Sequence, residues 1–311
     1  MRTLVLGAGG IGGYFGGRLL QAGRDVTFLV RPRRAGQLAS VGLVIQSPYG
    51  GYHHASPPTI LAENLRETFD VVLLSCKAYD LDDAMNTIAP AVGPNTVILP
   101  TLNGMRHMDA LIERFGEHPV AGGLCFIAST MDDDGRILHL NTNHTIVFGE
   151  RDGGRSTRSD AIATELRHGA FESRLSDAIM QEMWEKWVFI ATGAAITSLM
   201  RSTVGDIETA GGKPLVDMLV AECAAIATRS GFRPSKECIE RSKATFSAPG
   251  SSLTASMYRD IERGGRTEGQ HLLGDLLRRG VSVESYPVLR TANIHVATYE
   301  ARRARLEAER K

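Results

Sequence analysis

Lys186 sits in Trp184-Glu185-Lys186-Trp187-Val188-Phe189-Ile190, at the entry to a long uncharged, mostly apolar run, Trp187 to Met200. An ammonium crowded by aromatic and aliphatic side chains loses solvation, which moves a lysine toward a pKa useful for proton transfer. The same sequence also suits a lysine that snorkels its head into water. Further along, Ser256-Met257-Tyr258-Arg259-Asp260 and Arg266-Thr267-Glu268 flank the turn Gly264-Gly265. A carboxylate such as Glu268 near the lysine would hold the ammonium and tune its acidity. A hydroxyl such as Ser256 could bond a substrate carboxylate. Thr267-Glu268 equally suits a plain helix start, where an acid in the first turn favours the dipole.

Two more polar residues follow strand-like runs. Lys77 comes after Leu73-Leu74-Ser75-Cys76, where an ammonium can meet phosphates or an anionic substrate. Asn103 comes after Ile98-Leu99-Pro100-Thr101-Leu102, where a carboxamide can bond a nicotinamide amide or a substrate carbonyl. Each would also pass as an ordinary loop residue. The chain opens on Thr3-Leu4-Val5-Leu6, then Gly7-Ala8-Gly9-Gly10-Ile11-Gly12. This is a buried strand followed by G-x-G-x-x-G, with Ile11, Tyr14, Phe15 and Leu19 on one face of the following helix. Gly7 would allow the tight turn, Gly9 the approach of a pyrophosphate and Gly12 the close packing of helix on strand. The phosphates would meet unpaired N–H groups at the helix start. The next strand, Asp25 to Val30, ends in Arg31-Pro32-Arg33-Arg34 without a carboxylate. A guanidinium there suits a 2′-phosphate and favours NADPH over NADH, the other reading being a solvated basic loop.

The elements that must position these residues fall in two blocks of a 311-residue chain. The first alternates strands (Leu43–Gln46, Asp70–Ser75, Thr96–Leu99, Val120–Ala128, Thr145–Phe148) with helices (Asp80–Ile88, Asp160–His168), as a doubly wound sheet does. From about Asp177 helical periods take over: Ala178–Leu199, Pro214–Arg229, Ser235–Lys243, Ser256–Arg263, Gln270–Arg279 and Val288–Ala304. The expected fold is therefore α/β: an N-terminal Rossmann-type doubly wound sheet over residues 1–174, then an all-helical domain over 175–311. The break is expected between Phe171 and Asp177, and the active site in the interdomain cleft beyond the carboxyl ends of the strands.

Composition narrows the class. Apolar residues make 43% and charged residues 23% of the chain, and 35 basic residues balance 35 acidic ones. That speaks against a nucleic-acid or anionic-membrane surface. Four cysteines lack C-x-x-C spacing and read as free thiols in a reducing cytoplasm, and no room is left for a signal peptide before the first strand. The nine histidines show no zinc-binding spacing, so no metal is expected, and His53-His54 reads as a solvated loop pair. The uncharged run is too short to span a bilayer. Apolar helical segments would offer a homodimer face.

Taken together, these residues resemble the ketopantoate reductases (2-dehydropantoate 2-reductases) over nearly the whole chain. Gly7-Ala8-Gly9-Gly10-Ile11-Gly12-Gly13 looks like that family's nucleotide fingerprint, and Arg31 matches its NADP-selecting arginine. Ser75-Cys76-Lys77 and Leu102-Asn103-Gly104 match its cleft lysine and asparagine, and Trp184-Glu185-Lys186 its W-x-K. Ser256-Met257, Asp260 and Arg266-Thr267-Glu268 match its S-M…D…R-x-T-E block. The resemblance implies NADPH-dependent reduction of a 2-oxo acid, by default 2-dehydropantoate to pantoate in pantothenate biosynthesis. Lys186 and Glu268 would be the catalytic residues, Lys186 as the proton donor and Glu268 positioning it or a substrate hydroxyl. Gly7, Gly9, Gly10, Ile11, Gly12, Arg31, Lys77, Asn103 and Glu268 would bind the cofactor, and Lys77, Asn103, Lys186 and Ser256 the substrate. Three positions depart from the family: its asparagines four and eight residues past the lysine and three before the serine become Ile190, Ala194 and Leu253. None of these can hydrogen-bond through its side chain, which points to a paralogue acting on a more apolar 2-oxo acid as the alternative. An NADP(H)-sensing binding protein without turnover is a third reading, which the Lys186 and Glu268 pair disfavours.

Overall fold

Strands buried on both faces read as continuous apolar runs, and three strands of the first sheet are of this kind. The computed structural model describes residues 1–310, Val283 by its backbone alone. In chain order its first part comprises β1 (Arg2–Leu6), α1 (Gly10–Gln21), β2 (Asp25–Leu29), α2 (Pro32–Val41), β3 (Leu43–Gln46), β4 (Tyr52–His54) and β5 (Thr59–Ile60). It continues with β6 (Val71–Leu74), α3 (Leu81–Ile88), β7 (Val97–Pro100), α4 (Arg106–Phe115), β8 (Gly122–Met131), β9 (Ile137–Gly149), α5 (Thr157–Arg167) and β10 (Glu172–Leu175). A parallel sheet in the order β5-β2-β1-β6-β7 places β1 at its centre. The chain builds outward from β1 on one side through β2, then crosses to β6 on the other. The carboxyl ends of β1 and β6 therefore form the switch point where α/β sheets bind ligands.

The strands Leu43–Gln46, Val120–Ala128 and Thr145–Phe148, expected in that same sheet, instead build a second one. Its order is β10-β9-β3-β4, with β8 antiparallel along β9. Alternating apolar runs reveal strands but carry no address for the sheet they join. The β8–β9 connection had a local signal in Asp134-Gly135, a hairpin dipeptide whose glycine has φ +82°. The His53-His54 pair lies in β4, antiparallel to β3, and is not a loop. Arg31–Arg34 does not form a loop either: Pro32 opens α2, where a missing N–H costs nothing. Tyr14, Phe15 and Leu19 of α1 are fully buried in a core shared with Val5, Phe28, Ile146 and Phe148.

The second part is helical: α6 (Ile179–Met200), α7 (Val204–Thr209), α8 (Lys213–Arg229), α9 (Lys236–Phe246), α10 (Ser256–Glu262), α11 (Asp275–Arg278) and α12 (Pro287–Ala308). α6 is apolar on nearly every face over its 22 residues, which makes it the buried axis of this part. The Glu222 carboxylate on α8 accepts from Val288 N (3.1 Å) and Leu289 N (2.8 Å), capping the first turn of α12 from a distant helix. By internal contacts the chain forms two compact units. One is Met1–Leu102 with His107–Met180; the other is Asn103–Arg106 with the chain from Gln181 onward. Glu172–Leu175 belongs to the first because β10 pairs with β9.

Candidate active site

In the first unit, β1 delivers the chain into a glycine turn. Gly7 has φ +88°, a conformation only glycine adopts without strain. A Cβ on Gly12 would lie 2.2 Å from Ser75 Oγ and 2.3 Å from Gly7 O, so α1 rests directly on the strands through this position. At Gly9 the situation is reversed: a Cβ there would meet nothing within 4 Å. Gly9 is the N-cap of α1 and supplies no capping side chain, and no acid occupies the first turn. Gly10 and the half-buried Ile11 complete that turn. Uncapped N–H groups and the positive end of the helix dipole thus face open space.

This space continues into a cavity of about 440 Å³, floored by Gly7, Ala8 and Gly9. Arg31 after β2 and Arg34 on α2 wall one side, and Cys76 and Asp80 of the β6–α3 connection with Asp83 of α3 the other. Arg31 is exposed, with its Nη2 3.1 Å from Asp83 Oδ2 and 3.4 Å from Asp80 Oδ2. The hydrogen bond to Asp83, with Asp80 beside it, raises the guanidinium's pKa. Arg34, not singled out from sequence, lies deeper. Its Nε donates to Ala8 O (3.0 Å) and its Nη1 to Gln37 Oε1 (2.6 Å) and Gly135 O (3.0 Å), while Nη2 is buried without a protein partner. Glycine cradle, uncapped helix end and orphaned guanidinium nitrogen together fit a dinucleotide carrying phosphate. Lys77 stands exposed after β6, next to Cys76 but outside the lining of this cavity.

In the second unit, Lys186 is only 7% exposed, on α6. Its neighbour Trp187 is fully buried and donates its indole N–H to Leu272 O at 3.0 Å. Trp184 stacks on Phe232 with ring centroids 5.4 Å apart. Glu185 accepts from Ser235 N at 2.8 Å, so the acid of the W-E-K-W run serves the start of α9. Glu268 is half-buried, and its carbonyl accepts from His271 N (3.0 Å) and Leu272 N (2.9 Å). Asn103 belongs to this unit, and its carbonyl accepts from Nε2 of His271 at 2.8 Å. His271 is 6% exposed, and burial holds it below its ordinary pKa of 6.5. Sequence reading missed it, because a histidine inside an apolar helical period looks like core. Ser256 is exposed at the first position of α10.

Ile190 and Ala194 follow Lys186 at helical spacing on α6, half-buried and buried respectively, while Leu253 is 40% exposed. Among the described residues no cluster of His, Cys, Asp or Glu forms a metal site, and no helix is long and apolar enough to cross a membrane.

Residues 3–153 match the family model described as "Ketopantoate reductase PanE/ApbA", and residues 178–292 match its C-terminal counterpart. The chain is 38% identical over 303 residues to the "Uncharacterized oxidoreductase YkpB" of Bacillus subtilis, covering 97% of this chain and 99% of that protein. It superposes on the crystal structure of 2-dehydropantoate 2-reductase from Methylococcus capsulatus with a TM-score of 0.85 and 25% identity, over 97% and 98% of the two chains. The ternary structure of D-mandelate dehydrogenase with NADH and anilino(oxo)acetate shares the fold, with a TM-score of 0.85, 20% identity, and 98% and 100% coverage.

Proposed function

This chain belongs to the ketopantoate reductase family of oxidoreductases, and we propose that it reduces a 2-oxo acid to a 2-hydroxy acid with NADPH as hydride donor. The observation that carries the reading is the near-complete burial of Lys186 at the W-x-K position of α6. Gly7, Gly9 and Gly12 with the start of α1 would hold the pyrophosphate. Arg31 and Arg34 would hold the 2′-phosphate, and Lys77 and Asn103 would align cofactor and carbonyl. When bound, the nicotinamide supplies a hydride to the ketone carbon. As that C–H bond forms, the carbonyl π pair moves to oxygen and takes a proton from the Lys186 ammonium, which solvent later restores. Lys186 stabilises the developing alkoxide before transfer, Glu268 positions the ammonium, and Ser256 bonds the carboxylate end of the substrate.

The default substrate is 2-dehydropantoate, as in pantothenate biosynthesis. A second reading, a paralogue for a more apolar 2-oxo acid, is favoured by Ile190, Ala194 and Leu253, which cannot pair a substrate hydroxyl. NADPH consumption with 2-dehydropantoate, 2-oxoisovalerate and phenylglyoxylate separates the two by specificity constant, and no turnover of any 2-oxo acid would leave only a binding role. With the best of these acids, Lys186→Ala should lower kcat by about 10²–10⁴-fold with little change in NADPH affinity. Near-native turnover in that variant removes Lys186 as the proton donor.

A further inference from the structure

Asn103 and Trp187, the residue next to Lys186, both hydrogen-bond the same short segment of the helical unit. Gln270–Gly274 forms a single π-helical turn just after Glu268. Such turns carry an inserted residue and recur at functional sites. Here the turn makes two connections. Leu272 O accepts the indole N–H of Trp187 at 3.0 Å, next in sequence to Lys186. Nε2 of the neighbouring His271 lies 2.8 Å from Asn103 O. A carbonyl can only accept, so the ring proton sits on Nε2. The contact is tight as well as polar. Gly104 has φ +80°, and a Cβ there would lie 3.1 Å from Cδ2 and 3.2 Å from Nε2 of the imidazole. The chain therefore turns directly against the ring.

We propose that His271 is a positioning residue for the reduction, fixing through the Asn103 carbonyl where the Asn103 carboxamide stands relative to Lys186 and Glu268. This rests on the reading of Asn103 and Lys186 as parts of the reducing machinery. A phenylalanine at 271 would fill the ring's volume but leave the carbonyl without its donor. A glutamine can place an N–H near the position of Nε2. Small misplacements of an aligning group cost turnover far more than binding.

The test compares His271→Phe, His271→Gln, Asn103→Ala and the double variant H271F/N103A in the full chain, using NADPH and the fastest acid of the panel above. His271→Phe is expected to lower kcat about ten- to hundredfold, with KM and the NADPH Kd within about threefold of wild type. His271→Gln should recover much of that loss, and the double variant should be little worse than Asn103→Ala alone, since both changes act on one group. Wild-type kcat in His271→Phe alongside an impaired Asn103→Ala overturns the proposal and leaves the role of Asn103 standing. Equal losses in the Phe and Gln variants, matched by equal falls in Tm, reduce His271 to packing and overturn it too. An unimpaired Asn103→Ala removes Asn103 from the machinery, and the proposal with it.

Discussion

Arg31 shows how much a single side chain's role depends on neighbours the local sequence hides. Read along β2, the strand end carries basic residues and no acid. In the folded chain Asp80 and Asp83 from the next βα unit stand within 3.4 Å of that guanidinium. The pair with Asp83 joins two exposed side chains, a class of contact worth about 0–1 kcal/mol. A dianionic phosphate offering bidentate acceptors can displace it, so the carboxylates do not forbid NADPH. Arg31→Ala should raise the KM for NADPH by roughly tenfold or more and that for NADH much less, in steady-state assays at one ionic strength. Equal effects on both cofactors would mean that Arg31 does not read the 2′-phosphate.

The β1–turn–α1 element separates two uses of glycine that look alike in sequence. Gly12 has no space for a methyl group, since the atoms nearest its missing Cβ include the Gly7 backbone. Gly9 has open space. Gly12→Ala should therefore lower Tm by several degrees, a loss of about 1–3 kcal/mol. Gly9→Ala should keep the wild-type Tm while weakening NADPH binding, measured by cofactor fluorescence. A Gly9→Ala variant with native NADPH affinity would show that this cradle is not where the pyrophosphate rests. Elements of this kind were legible because the apolar runs of β1, β6 and β7 and the period of α1 are local properties of the chain. The second sheet was less so: its β3, β8 and β9 carry the same signals as strands of the first, while β10, Glu172-Ser173-Arg174-Leu175, is too polar to carry one. Motif spacing singled out Gly7, Arg31, Lys77, Asn103, Lys186, Ser256 and Glu268 as candidates. His271 did not: its bond reaches a backbone carbonyl 168 residues away, and a backbone atom leaves no mark on the sequence.

Across the whole molecule, two buried histidines couple stability to pH. His271 and His144 are both held below 6.5, chiefly by burial, and for His144 also by the neighbouring His139. The unfolded chain then takes up protons before the folded one does, so their contribution is complete above pH 6.5 and is lost as pH falls below it. A second loss follows at lower pH from Glu150, whose pKa the hydrogen-bonded Arg158 holds below 4.5. Tm should stay level from about pH 8 to 6.5 and decline from there toward about pH 5. His144→Phe, which keeps the ring beside Tyr14 and Tyr49, should flatten part of that slope. A level Tm down to about pH 5 would show that neither histidine is protonated more readily in the unfolded chain.

The assignment of Asn103–Arg106 to the helical unit has a consequence for the gene. Four residues encoded in the middle of the nucleotide-binding half are, in three dimensions, the property of the other half. A fragment expressed from Gln181 onward would lack them, and the His271 imidazole would face water where a carbonyl belongs. The two halves are therefore not interchangeable cassettes: recombining one with a foreign partner carries a piece of the wrong unit across with it.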